Sequence, residues 1–240
     1  MELPKFYETE IVRNEKLTDS IFLLEAKLPE GKLNFKSGQF ALTYKETSQK
    51  EENRAYSICS SPSKETIEFL IKLQKDGKVS PLLYQLKKGD KLKVRAPFGV
   101  FLIKEPLPEE IIFIAGGTGI APFRSMIHDI LEKNHKTKIT LIFGFRHETD
   151  FLFREEFQSL KKNHENFKGH YALTEPTSSW TDLKGRVTDV IPQILTNTEN
   201  KHIYICGPNP MINNTLSILI NNLNFKKEQV HFERWSKEFK

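Results

Sequence analysis

Cysteine is scarce in this chain: Cys59 and Cys206 are the two thiols among 240 residues. Lying in different halves, they cannot build a disulfide framework, a four-cysteine zinc site or an iron–sulfur cluster. Any such cluster must belong to a partner. Seven histidines are present, but no His-x-x-x-His pair occurs, so no metal site is expected. No apolar run approaches the roughly 20 residues of a membrane-spanning helix. The first residues, Met1-Glu-Leu-Pro-Lys-Phe-Tyr-Glu8, carry early acids and no apolar stretch of the kind that makes a signal peptide. A cytoplasmic protein without membrane contact is expected. Basic runs interleaved with aromatics are missing too, and no nucleic-acid module is recognisable.

The length suits one large domain or two of ordinary size. The formal charge is +5, and lysine supplies most of the positive side. That excess reads either as a solvated lysine surface or as a basic patch that meets an acidic protein or an anionic cofactor.

The chain is organised around Ile111-Ile-Phe-Ile-Ala-Gly-Gly-Thr-Gly-Ile-Ala-Pro-Phe123. An apolar strand runs into a glycine turn, and the turn runs into a helix start marked by Pro122. Such a turn presents backbone N–H groups to a phosphate. The residues before this stretch read as strands, and those after it as alternating strands and helices. Two domains are expected, 1–105 and 106–240, with Pro106-Leu-Pro108 in the linker.

In the first half, short strands are predicted at Phe6–Val12, Ser20–Ala26, Gln39–Tyr44, Arg54–Ser60, Ile67–Leu73 and Lys91–Arg95, with turn residues between them. This spacing predicts an antiparallel β-barrel or sandwich. A helix is predicted over Val79–Leu86, and the polar stretch Lys45–Asn53 is expected to be a mobile loop. Two segments carry chemistry. In Arg54-Ala55-Tyr56-Ser57, strand alternation sends Arg54 and Tyr56 to one face and Ser57 to the other. Arginine suits a pyrophosphate because its fork is planar and always charged, and a tyrosine ring can lie on a planar heterocycle. In Asp76-Gly77-Lys78-Val79-Ser80-Pro81 a glycine turn again precedes a helix start, with Ser80 as N-cap and Pro81 at the first helical position. Taken singly, these segments also suit an ordinary edge strand and a capped surface helix.

The second half alternates. Strands are predicted at Ile111–Ala115, Ile139–Phe143, Gly169–Leu173, His202–Cys206 and Gln229–Phe232. Helices are predicted at Ala121–Asn134, Phe151–Lys162, Asp189–Leu195 and Pro210–Asn222. The pattern predicts an α/β doubly wound parallel sheet, with ligands at the carboxyl ends of its strands.

In order along the chain, Arg54-x-Tyr56-Ser57, Gly77-x-x-Ser80 and Ala96-Pro97-Phe98-Gly99 resemble the flavin domain of the ferredoxin–NADP reductase superfamily. The resemblance is to its FAD-binding FR-type oxidoreductases without an iron–sulfur domain. Gly116-Gly117-Thr118-Gly119-Ile-Ala-Pro122, Cys206-Gly207-Pro208-Asn-Pro-Met211 and Glu233-Arg-Trp235 resemble that family's pyridine-nucleotide motifs. The family usually has glycine where Ala96 stands. Five further residues follow Trp235, so the flavin-covering aromatic could be Trp235, Phe239 or neither.

The resemblance implies a β-barrel that holds FAD, in preference to FMN, followed by a domain for NADPH or NADH. Arg54, Ala55, Tyr56 and Ser57 would hold the flavin phosphate and ring, with Ser57 near the ring nitrogen N5. Gly77, Lys78, Val79 and Ser80 would hold the pyrophosphate, and Ile71 and Lys72 would line the cofactor. Gly116, Gly117, Thr118, Gly119, Gly207, Pro208 and Met211 would place the nicotinamide nucleotide beside Cys206, with Glu233 and Trp235 near the flavin. Ser57, Cys206 and Glu233 are the catalytic candidates. Arg146 could accept a 2′-phosphate, and Asp150 could bind a ribose or cap the following helix.

The implied chemistry is hydride transfer from NAD(P)H to flavin, then single electrons to a separate acceptor, since no iron–sulfur segment is present. An acidic ferredoxin or flavodoxin suits the basic chain. A cytochrome b5-type acceptor, an oxygenase component or free flavin are alternatives, and so is a flavin-binding regulatory subunit without its own turnover. The lack of a C-terminal cysteine cluster argues against the branch that serves dihydroorotate oxidation. A monomer is expected.

Overall fold

The computed structural model describes residues 3–29, 31–47 and 50–234. The chain packs as two compact units. The first takes Met1–Ile103 together with Ala121–Lys133, and the second takes Lys104–Ile120 together with Asn134–Lys240.

The first unit holds a six-stranded antiparallel sheet: β1 (Lys5–Lys16), β2 (Ile21–Lys27), β3 (Phe40–Glu46), β4 (Glu51–Ser57), β5 (Thr66–Lys72) and β6 (Lys91–Phe98). The order is β4-β3-β6-β1-β2-β5. The chain just past β4 returns to β5 through a bridge between Ile58 and Phe69, which draws the two edges into a barrel. Alternation explains the core. Thr9 and Ile11 on β1, Leu92 and Val94 on β6, and Phe22 and Leu24 on β2 are buried. Each fully buried Phe or Leu contributes about 1.5–3 kcal/mol. The short helix α1 (Ser80–Tyr84) adds Leu83 to this cluster.

Lys45–Asn53, expected as a mobile loop, instead belongs mostly to a β-hairpin. Lys45 pairs with Glu52 and Glu46 with Glu51 across β3 and β4. The Thr47 N–H donates to the Lys50 carbonyl at 3.0 Å. The polar run hid a strand because this ribbon turns both faces toward water and is held by charge: Lys93 of the adjoining β6 donates to Glu51 at 2.7 Å. Ser80 differs as well. It is the first helical residue, not the N-cap, which is Val79. Its hydroxyl oxygen accepts from the Gln74 N–H at 2.9 Å and closes the Gly77 turn instead.

Helix α2 (Ile120–Glu132) packs in the first unit. Phe123 lies 6.0 Å from Phe101, ring to ring, and Met126 abuts Gly38.

The second unit is a parallel sheet of β7 (Glu110–Gly116), β8 (Lys138–Phe145), β9 (Phe167–Leu173), β10 (Leu183–Lys184), β11 (Lys201–Cys206) and β12 (Val230–Glu233). The order is β10-β9-β8-β7-β11-β12, with all pairs parallel. The chain winds outward from β7 to β10, then returns to lay β11 on the other side of β7. This is a doubly wound sheet with its switch point between β7 and β11, where a ligand crevice is expected. Its other helices are α3 (Arg154–Asn163), α4 (Val187–Ile194) and α5 (Asn209–Ser217), the last continuing into one π turn at Ile218–Asn222. Helix α3 starts three residues later than periodicity predicts. A 3-10 turn at Glu148–Asp150 comes first, and Phe153 adopts a left-handed φ of 57°. Among the described residues no helix is long and apolar enough to cross a membrane.

Candidate functional site

In the first unit, β4 ends at Ser57, which is buried. Register places Ser57 opposite Phe40 on β3, and Phe40 opposite Phe98 on β6. The two phenyl rings stack at 5.6 Å, and Gly99 lies against the Phe40 ring so closely that a Cβ there would stand 2.9 Å from it. Phe40 thus joins Ser57 to the Ala96-Pro97-Phe98-Gly99 segment. Tyr56, on the opposite face, packs against the barrel core beside Phe69. Burial pushes its phenol up to about 12, with the Arg54 charge pulling the other way. It is neutral in the physiological range. Ile71 is buried, and Lys72 and Ala55 are exposed.

Arg54 and Lys78 meet at Glu52. Lys78 Nζ lies 3.3 Å from Glu52 Oε1, and Arg54 Nη1 lies 3.7 Å from Oε2. The Lys78 ammonium holds the Glu52 carboxyl below its usual range. The turn at Gly77, Lys78, Val79 and Ser80 is therefore brought to β4, and with Lys50 at 3.8 Å three cations converge on the one carboxylate. Gly77 is required by space, since a Cβ would stand 2.9 Å from the Gln74 side chain. Sequence reasoning missed Glu52 and Phe40, which are linked to the motifs only by strand register.

In the second unit, Gly117–Gly119 forms a 3-10 turn directly after β7. Gly117 has φ of +55°, and a Cβ there would meet nothing within 4 Å, so its surroundings are open. Gly119 is confined: a Cβ would stand 2.2 Å from the Cys206 carbonyl oxygen. The end of β7 thus rests on the end of β11, with no room for a side chain. Met211 and Pro208 fill the space beside Gly116, and Met211 also abuts Gly207. The leading N–H groups of such a turn lack partners within the helix. With the helix dipole they favour a phosphate. Thr118 is half-buried on the same turn.

Cys206 is buried and pairs in register with Glu233 on β12. Burial pushes its thiol well up, and the Glu233 charge adds to that, so the sulfur stays protonated and is no nucleophile. Arg146 lies past the end of β8, exposed, its Nε 2.7 Å from Glu175 Oε1. Asp150 accepts the His147 N–H at 3.1 Å. It therefore caps the 3-10 turn it belongs to, not the following helix. Trp235 and 236–240 lie outside the described residues.

Residues 113–216 match the model described as the oxidoreductase NAD-binding domain. Residues 8–103 match the oxidoreductase FAD-binding domain. The propane 2-monooxygenase reductase component of Mycolicibacterium goodii is 30% identical over 95% of this chain and 67% of its own length. One component of the Na(+)-translocating NADH-quinone reductase of a Marinomonas species is 30% identical over 94% of this chain and 66% of its own length. A ferredoxin NADP+ reductase from Neisseria gonorrhoeae with bound FAD and NADP superposes with a TM-score of 0.84 at 22% identity, covering 95% of this chain and 98% of that one. The chain belongs to the ferredoxin–NADP reductase superfamily, the FR-type flavoprotein oxidoreductases, with FAD- and NAD-binding domains. It spans about two thirds of the length of these two curated relatives.

Proposed function

We propose that the chain is the flavin reductase module of an electron-transfer system, working from NADH or NADPH to a separate acidic acceptor protein. When bound, FAD supplies the ring that takes a hydride from the nicotinamide and releases electrons singly. The residues present suit both groups. The open space over Gly117 and the bare backbone at Gly119 leave room for a pyrophosphate. Arg54 and Lys78, now balanced by Glu52, can exchange that carboxylate for flavin phosphates.

Each chain residue then has a defined task. The Ser57 hydroxyl donates to the flavin ring nitrogen that gains electron density. The Tyr56 ring supports the flavin, and its neutral phenol adds no charge. The Gly116–Gly119 turn seats the dinucleotide phosphates. Cys206 offers a small neutral sulfur beside the nicotinamide, and Glu233 fixes its surroundings. Arg146 takes the 2′-phosphate if NADPH is the donor, leaving Glu175 to do so. With a net charge of +5, attraction favours an acidic acceptor such as ferredoxin or flavodoxin, or an oxygenase component.

The observation that carries this reading is the backbone contact of Gly119 with Cys206 at the switch point, which unites two motifs far apart in sequence. Anaerobic mixing of the yellow protein with NADPH and with NADH tests it. Bleaching of the flavin absorbance by at least one is expected. Absorbance unchanged by both rejects the function.

A further inference from the structure

Two arginines of the first unit are bonded in opposite ways. Arg124 of α2 is 6% exposed. Its Nη1 donates to Glu68 Oε2 at 2.6 Å and to the Cys59 carbonyl at 3.1 Å, and Arg13 meets the same carboxylate at 2.9 Å. Beside it, Ser125 Oγ donates to the Ser60 carbonyl at 2.7 Å. This cluster ties α2 to the barrel and supplies its own partners. Arg95 of β6 has no such partners. Its Nε is buried without a hydrogen bond, and among the described residues it makes no ion pair.

Strand alternation puts Arg95 on the outer face of the barrel, since its neighbours Val94 and Ala96 lie in the core. Register sets it between Phe6 on β1 and Leu42 on β3. Its guanidinium carbon lies 5.2 Å from the centre of the Phe6 ring and 5.5 Å from that of Phe98. The other cations on this face of β6 are already paired, Lys93 with Glu51 and Lys91 with Glu10, each at 2.7 Å. The acids Glu8, Glu46 and Glu51 act on Lys93, one row away, and leave Arg95 unbalanced. Phe6 is 56% exposed. A charge held between two rings with no anion inside the protein takes one from outside. An arginine framed by aromatic side chains is also the composition that dominates binding energy at protein interfaces. The patch is continuous with the flavin-site segment, because Phe98 stacks on Phe40 and Phe40 stands opposite Ser57.

We propose that Phe6, Arg95 and Phe98 form the docking face for the acidic acceptor protein. Arg95 takes one of its carboxylates, and Phe6 makes the apolar contact beside it. This docking role rests on the function proposed above and adds the surface that the acceptor uses. The net charge of +5 favours the same class of partner.

The test uses the oxidised, flavin-loaded protein, with a plant-type [2Fe–2S] ferredoxin and a flavodoxin as acidic probes. The variants are Arg95→Gln, Phe6→Ser and Lys16→Gln, the last a surface cation outside the patch. Calorimetry gives Kd at low and moderate salt, and the same samples give flavin content and the rate of flavin reduction by nucleotide. At least one probe should bind wild type with a Kd that rises with salt. Arg95→Gln and Phe6→Ser should each raise that Kd by about ten-fold or more, and Arg95→Gln should also flatten its salt dependence. Lys16→Gln should stay within about two-fold. Flavin content and reduction by nucleotide should match wild type throughout. Phe6 is exposed, so its variant answers the question if Arg95→Gln does not fold. A Kd within about two-fold of wild type in every folded patch variant overturns the docking role, as does affinity that falls only in step with flavin loss. Wild-type protein that binds neither probe overturns it as well, and the proposed hydride chemistry survives if nucleotide still bleaches the flavin. Wild-type protein that neither nucleotide reduces removes the proposed function, and this role with it. A wild-type dimer in sedimentation that Phe6→Ser separates would make the face a contact between copies and overturn the acceptor's place there.

Discussion

His202 Nδ1 and His231 Nε2 lie 2.8 Å apart on the adjoining strands β11 and β12, with their rings nearly parallel. One must donate and the other accept, so at least one ring nitrogen in the pair is unprotonated. Tyr204 packs against His231 at 4.7 Å, and its hydroxyl oxygen accepts the Lys104 N–H.

Burial, then the neighbouring His202, then Lys104 depress His231 from 6.5 to about 4. Below pH 6.5 the unfolded chain takes up a proton there that the folded chain refuses. The stability this site contributes is complete above about pH 6.5 and is lost as pH falls toward about 4. Chemical denaturation of His231→Gln between pH 4.5 and 7 should give a shallower fall in stability than wild type. Parallel curves would refute the assignment.

Gly119→Ala should weaken the nucleotide site and the second unit together. Its Cβ meets the Cys206 carbonyl at 2.2 Å, and overpacking of this kind costs about 1–3 kcal/mol. Nucleotide Kd should rise while flavin content stays full. Gly117→Ala has open space but pays for its left-handed φ of +55°, a smaller cost of about 1–2 kcal/mol. Equal nucleotide affinity in wild type and the Gly119 variant would contradict the close contact.

Loss of the Ser57 hydroxyl should slow flavin reduction by about three- to ten-fold, the range of one hydrogen bond. Tyr56→Ala should instead lower flavin retention, because the half-buried ring packs against the barrel core beside Phe69. Unchanged flavin content and turnover in both variants would reject this flavin site.

Arg146→Ala should raise KM for NADPH more than for NADH if Arg146 leaves Glu175 for a 2′-phosphate. Equal effects on both would make the Arg146–Glu175 pair structural. Steady-state kinetics with each nucleotide decides this.

The parallel sheet was legible because its strands are apolar runs such as Ile111–Ala115, separated by periodic helices. The glycine turns were legible because their spacing is dictated by backbone, as the Gly119 contact shows. The hairpin end of β3 and β4, within Lys45–Asn53, was not legible. Its residues satisfy each other across strands, and no local pattern records a partner. The Arg124–Glu68 pair left only a faint sign: a glutamate inside the apolar strand Ile67-Glu-Phe-Leu-Ile71, and an arginine directly after Phe123 on an apolar helix face. Neither names the other, because the two positions are distant in sequence and meet through the fold alone. Ser80 shows the reverse error, where a good local capping signal lost to a bond with Gln74.

The division of the chain has a consequence for recombination. Ala121–Lys133 belongs with the barrel, although it follows the nucleotide turn in sequence. A chimera that takes its nucleotide half from another relative by a single crossover at the linker would import a foreign helix against Glu68, Cys59 and Ser60. A working exchange has to carry those partners along, or restore this chain's own α2 within the graft. Modularity in this protein follows the buried charges rather than the order of the motifs.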